Sequence, residues 1–319
     1  MSINFSCCFY PTTVVCVDDD VHLLKWMGLL LESRFKVTAF HNPTEFVEFV
    51  QKAASAHHHG VGEVHLDTEI ALLHQRIYNS KRAEEISALV VDYYMPGMDG
   101  LTACKMLKGV AAKKIMLTGE ADQSLAVSAF NEGIIDQFVM KGQAQVMEDL
   151  QVQIERMQAL FFIEKSRFLT EHLLQHFAAV FSYFTDVELQ EKLNKLLHEK
   201  AIREIYLFNE EGDFLLIDEA KKLWWMSVKT PTMVKRLLQD AEGEFLQEPS
   251  PEAEAVFECI KKQEKLPIFA ASKTVLDIAE WGPLLATPLA VQTTKDQYQI
   301  LLLEDFGQAN LRYSDIQFV

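Results

Sequence analysis

Four short stretches, in this order along the chain, most constrain what it can fold into: VVCVDDD (14–20), LVVDYYMPGMDG (89–100), IMLTGE (115–120) and FVMKG (138–142). Each is a short apolar run ending in a chemically useful residue: an acid pair, an acid, a hydroxyl and a lysine. In a parallel α/β sheet, ligands bind just beyond the carboxyl ends of the strands. Four such ends would gather carboxylates, Thr118 and Lys141 into one pocket, the equipment for handling a phosphoryl group.

The segments between these stretches support that sheet. Apolar strands at 13–17, 37–40, 89–91, 115–117 and 135–140 alternate with helical patterns. Asn42, Pro43 and Thr44 start one helix, and Gly133 stops another that covers 123–131. Such alternation predicts a doubly wound parallel sheet. One connection, residues 41–87, far exceeds the roughly 10–12 residues a crossover needs. Its excess carries AASAHHHG (53–60), then Leu66, Ile70, Leu73 and Ile77 at helical spacing, and reads as an inserted helix with a flexible lead-in. This insert enters the third strand at its amino end, away from the pocket, and is expected to offer a partner surface. His57, His58 and His59 could bind metal, but a solvated loop is the preferred reading.

A chain of 319 residues has room for two domains. Its net charge of −16 argues against a nucleic-acid-binding surface, which shows as a basic stripe. The five cysteines (Cys7, Cys8, Cys16, Cys104, Cys259) are odd in number and lack metal spacing, which suits reduced thiols in a cytosol. Adjacent Cys7 and Cys8 read as free thiols rather than a redox pair. No apolar run approaches the ~18 residues needed to span a membrane, and the first residues lack a basic start. The chain is therefore expected to be cytoplasmic, with no membrane contact.

Together the four stretches closely resemble the receiver domain of two-component response regulators, over about residues 11–147. The resemblance implies a flavodoxin-like (βα)5 sheet in which one aspartate accepts a phosphoryl group from a sensor histidine kinase or phosphotransfer protein. By position, Asp92 would be the phosphoacceptor, Asp18 and Asp19 the acid pair, and the Tyr94 carbonyl a backbone ligand, so that Asp18, Asp19, Asp92 and Tyr94 would hold Mg²⁺. Thr118 and Lys141 match the family's hydroxyl and lysine, and Asp20 would start the next helix. The family also implies a homodimer on phosphorylation, formed through the fourth helix, fifth strand and fifth helix.

The residue types make chemical sense by themselves. Mg²⁺ takes oxygen ligands in an octahedron and keeps several waters. Phosphoryl transfer is mainly positioning and charge neutralisation, which a metal and a lysine supply. A carboxylate is the nucleophile of aspartyl-phosphate chemistry. A hydroxyl that bonds the new phosphoryl oxygens can draw its loop inward, which is a switch.

Three positions depart from the family. Gly142 follows Lys141 where the family has proline after a cis bond; a cis bond before a non-proline residue costs about 2.5–4 kcal/mol, so a trans bond is expected. Tyr94 puts a bulky ring beside the acceptor and is read as slowing attack by water. Phe138 is either a ring that turns inward on activation or a packed core phenylalanine.

Residues 148–200 read as a helical linker without Pro or Gly, with Val146, Leu150, Ile154, Met157 and Phe161 forming a stripe. The stripe suits either packing on the sheet and the next domain, or a dimerising signalling helix. Residues 201–319 read as a smaller α+β domain: a hairpin turned at 209–212, two helices over 232–241 and 251–263, and a second hairpin turned at 293–296. Over 151–319 there are eighteen Lys and Arg against twenty-seven Asp and Glu, a net of −9, and no basic recognition helix. The leading expectation is a response regulator, in a quorum-sensing or stress circuit, whose atypical output binds a protein or small ligand. One alternative is an output enzyme on a nucleotide or phosphoester with Asp213 and Asp218 as metal ligands; another is a DNA-binding regulator with an unrecognised element. Trp224, Trp225 and Trp281 could line a ligand pocket, with core packing the default.

Overall fold

The computed structural model describes residues 5–32, 35–56, 66–119, 123–142, 145–268 and 277–304. Along the chain, β1 (Cys8–Phe9) is followed by β2 (Thr13–Val17), α1 (Val21–Leu31), β3 (Lys36–Phe40), α2 (Pro43–Ala56) and α3 (Leu66–Ile77). Then come β4 (Ile86–Asp92), α4 (Gly100–Met106), β5 (Lys113–Thr118), α5 (Gln123–Asn131), β6 (Gln137–Met140) and α6 (Val146–Lys165). Strands β2 to β6 form one parallel sheet in the order β3-β2-β4-β5-β6, the doubly wound flavodoxin-like arrangement. Strands β2, β4 and β5 are buried along their whole length, which is why they read as unbroken apolar runs.

Alternate side chains of these strands fill two cores. Val14, Cys16, Ala88, Val90, Ile115 and Leu117 meet α1 and α6 on one face. Val15, Val17, Leu89, Val91 and Met116 meet α2 and α4 on the other. The apolar stripe of α6 is divided: Leu150, Ile154 and Met157 belong to the first of these cores, whereas Phe161 and Phe162 belong to the core of the second sheet. A stripe used twice within one chain leaves no free seam for a coiled coil.

Helical structure after α6 is interrupted, although neither Pro nor Gly breaks it. The elements are α7 (Arg167–His176), α8 (Ala178–Phe181), a short 3₁₀ turn and α9 (Val187–Glu199). At the first break the Ser166 hydroxyl donates to the Phe162 carbonyl at 2.7 Å. Such a local bond lets the chain leave the helical path.

The second sheet is antiparallel throughout, in the order β1-β7-β8-β9-β13-β12, with β7 (Ile202–Leu207), β8 (Asp213–Asp218), β9 (Leu223–Lys229), β12 (Leu289–Gln292) and β13 (Gln297–Glu304). Helices α10 (Pro231–Gln247) and α11 (Pro251–Lys261) and a two-stranded ribbon of β10 (Leu266–Pro267) and β11 (Leu285–Ala286) complete it. Both hairpins foreseen from the sequence are present, but β9 was not foreseen: its Trp224 and Trp225 are part of a strand, and Trp225 and Trp281 are core. Strand β1 was also missed, and it pairs with β7 rather than joining the parallel sheet.

The insert requires a correction. It was expected to offer a partner surface, yet Ile70, Leu73 and Ile77 of α3 lie in the core of the second sheet. An apolar stripe needs cover, and here β7 and α7, far along the sequence, supply it within the chain. The triple histidine at 57–59 lies outside the described residues.

Two buried polar groups fasten the sheets together. Arg82 makes a two-pronged pair with Glu204 of β7, at 3.0 and 2.8 Å, and Tyr206 donates to the same carboxylate. Beside it, Tyr10, Arg76 and Lys165 all donate to Glu85, and the Tyr10 and Tyr206 rings stack at 6.0 Å. Burial would raise the Glu85 carboxyl, but its three donors hold it below the usual range. Burial lowers Lys165, and the like charge of Arg76 adds to this, so that together they outweigh Glu85.

A buried ion pair broken on one side leaves an uncompensated charge, at a cost of about 3–5 kcal/mol. Arg82→Met is expected to lose stability of that order in urea unfolding. Adding Glu204→Leu should restore much of it, since the stranded carboxylate is then gone.

Candidate functional site

The carboxyl ends of β2, β4 and β5 face one place, at the point where the strand order reverses on either side of β2 and β4. Asp18 follows β2, Asp92 ends β4 and Thr118 ends β5, and all three are buried. Lys141 follows β6, and its backbone N–H donates to the Thr118 carbonyl at 2.9 Å. The turn carrying it holds a trans peptide bond to Gly142, as the sequence led us to expect. Asp20 caps α1 by accepting from the His22 and Leu23 N–H groups, so the three consecutive acids divide their work. Asp18 points inward, Asp19 is exposed, and Asp20 begins the helix.

The Lys141 ammonium lies between two carboxylates, 2.8 Å from Asp18 and 2.7 Å from Asp92. Burial raises the Asp92 carboxyl above the usual range, and the like charge of Asp18 adds to this, so that together they outweigh Lys141. Burial alone would lower Lys141, but its bonds to Asp18 and Asp92 raise it instead. The ammonium is thus held charged while Asp92 is left short of compensation. Thr118 spends its hydroxyl on the Gly119 carbonyl at 3.2 Å.

One further residue shapes the site. The segment after Asp92 turns through Gly97 at φ 82° and closes when the Gly100 N–H donates to the Tyr93 carbonyl at 2.8 Å. A Cβ on Gly100 would sit 2.1 Å from the Asp92 carbonyl oxygen, so only glycine lets α4 begin this close to the acid. Sequence reasoning quoted this glycine as the end of a motif without giving it a role. Asp99 beside it caps α4. The Tyr94 backbone bonds Asp92, while the residue as a whole is 78% exposed. Phe138 is half-buried against the core shared with α2 and α4.

The donor set suits a hard cation. Carboxylate oxygens of Asp18, Asp19 and Asp92 lie within 4.8 Å of one another, and oxygen-only ligands are what Mg²⁺ selects. An ion there would also supply the charge compensation that Asp92 lacks.

The other acid pair fails this test. Asp213 and Asp218 stand at opposite ends of β8, about 17 Å apart at the usual strand rise. Asp213 accepts from Ser227 and Lys229, and Asp218 accepts from the Trp224 ring N–H. They do not form a metal site, which removes the basis for an output enzyme built on them. The five cysteines are free thiols, and burial pushes Cys7, Cys16 and Cys104 up to about 12.

No protein-family model matches the sequence, and no curated protein aligns with it. Among solved structures, the Legionella pneumophila response regulator LqsR superposes with a TM-score of 0.79 at 26% identity, covering 99% of this chain and 94% of that one. A response regulator receiver domain from Clostridium thermocellum aligns with 50% of the chain at 19% identity and a TM-score of 0.35. Full-length FixJ from B. japonicum aligns with 53% at 22% identity and 0.36. The chain is therefore similar to a response regulator through both of its sheets. No helix among the described residues is long and apolar enough to cross a membrane.

A cation that binds only the folded site stabilises it, by about 2.7 kcal/mol at a hundred times its Kd. Mg²⁺ is expected to raise the Tm of the wild-type protein, and Asp18→Asn should abolish most of that rise.

Proposed function

We propose that this chain is a two-component response regulator whose Asp92 accepts a phosphoryl group from a sensor histidine kinase or phosphotransfer protein, with Mg²⁺ held by Asp18, Asp19, Asp92 and the Tyr94 carbonyl. The observation that carries this reading is the Lys141 ammonium between the Asp18 and Asp92 carboxylates, at strand ends that also bear Thr118. The similarity to LqsR over 99% of the chain supports it.

Each residue has a task in this chemistry. An Asp92 oxygen attacks phosphorus, and the bond from phosphorus to the donor's nitrogen or oxygen breaks, its electron pair leaving with the donor. A divalent ion held by Asp18, Asp19 and Asp92 would supply charge neutralisation at the transferring oxygens. Lys141, already bonded to Asp92, is placed to hold the acyl phosphate's negative charge after transfer. Thr118 exchanges the Gly119 carbonyl for a phosphoryl oxygen and draws its loop toward Asp92. The output is read as binding a protein or small ligand rather than DNA, in keeping with the net charge of −9 over 151–319. Phosphorylation is taken to favour a homodimer.

Acetyl phosphate with Mg²⁺ is expected to add one phosphoryl group to wild type and none to Asp92→Asn, read by intact mass. Equal incorporation in both would remove the site assignment. An unchanged gel-filtration volume on phosphorylation would remove the dimer. Tyr94→Ala is expected to shorten the lifetime of the phosphorylated form several-fold, followed by the decay of the added mass. A lifetime equal to wild type would show that the exposed ring does not shield Asp92.

A further inference from the structure

A cavity of about 400 Å³ lies at the opposite end of the parallel sheet from the acids, within the roughly 300–1,000 Å³ typical of small-molecule sites. Val50, Ala53 and Ala54 of α2 form one wall, and their spacing puts them on a single helix face. The loop 109–112 forms another, and Phe161, Glu164 and Lys165 of α6 with Arg167 of α7 complete it. The two alanines leave the space; larger residues at these positions would fill it. The elbow between α6 and α7, where the chain passes toward the second sheet, is one side of the cavity.

The two acids at this cavity are each paired. Arg76 and Lys165 converge on the single acid Glu85, which lines the cavity. Lys113 pairs with Asp136 and with Glu164. The Lys114 ammonium donates to the Val110 and Ala112 carbonyls of the cavity loop, at 3.3 and 3.4 Å. Arg167 lines the cavity and has no acidic partner among the described residues. The lining thus carries two acids, Glu85 and Glu164, and two cations, Lys165 and Arg167, and of these cations Arg167 is the one without an acid among the described residues. Burial lowers Lys114, against the opposing pull of Asp136.

We propose that this cavity binds a small amphiphilic monoanion, an apolar chain or ring carrying one carboxylate. The apolar body lies along Val50, Ala53, Ala54 and Phe161, and the acid head is taken by Arg167 at the rim. The head needs the unpaired guanidinium because Glu85 and Glu164 already occupy the other cations at the opening. The site is independent of the chemistry at Asp92, which lies at the far end of β4.

Octanoate and octanol, titrated calorimetrically into the full-length protein, test this with a charged and an uncharged probe of the same length. Octanoate is expected to bind one to one and more tightly than octanol. Arg167→Gln, an exposed substitution, should weaken octanoate about tenfold and leave octanol unchanged. Ala54→Phe fills the cavity and should abolish binding of both, with an unaltered circular dichroism spectrum verifying the fold. Absence of saturable octanoate binding to wild type overturns the proposal. So does octanoate binding that survives Ala54→Phe, or octanol binding as tightly as octanoate.

Discussion

One ammonium has to compensate two buried carboxylates, and the half of the chain built on the parallel sheet is arranged around that mismatch. Lys141 reaches both Asp18 and Asp92, yet burial and the second acid still leave Asp92 raised. Each charge alone would be costly in this position, and the three are tolerable only together. This requires the ends of β2, β4 and β6 to arrive at one point, and the parallel sheet delivers them there. The same shortage of positive charge makes the site attractive to a divalent cation.

Strand β4 links this site to the junction between the sheets. Asp92 is its last residue, and Glu85 immediately precedes its first. Glu85 gathers Tyr10 from the N-terminal segment, Arg76 from the insert and Lys165 from the end of α6. Arg82 then binds Glu204 in the second sheet. The insert is thus one of the elements that join the two halves: α3 gives its apolar face, and the turn after it gives its charges.

The parts of the fold that sequence made legible are those held by short-range rules. Strand ends at Asp18, Asp92 and Thr118, the cap at Asp20 and the stop at Gly133 each announce themselves within a few residues. What sequence concealed depends on distant partners. The stripe Ile70, Leu73, Ile77 looked like an unclaimed surface because its cover, β7 and α7, begins about a hundred residues later. Strand β1 is two residues long and has meaning only beside β7. Residues 223–229 were read as a tryptophan pair rather than a strand, because Trp224 and Trp225 gave no alternation to follow. Gly100 hid its role for another reason: the clash it avoids is with a backbone oxygen, which no side-chain pattern records.

Magnitudes bear on how a change at Asp92 can reach the second sheet. Allosteric coupling free energies are typically about 1–3 kcal/mol. Breaking the Arg82–Glu204 pair alone would cost about 3–5 kcal/mol. The Glu85 group, the buried face of α3 and the β1–β7 pairing would have to open with it. Only residues 10–12 separate β1 in one sheet from β2 in the other, so the halves cannot part without stripping that strand. On the function proposed above, a phosphoryl group at Asp92 would be too weak a lever to pull this junction apart. Such a switch would act with the two sheets still joined, through the loops that carry Thr118 and Lys141 and the surfaces beside them.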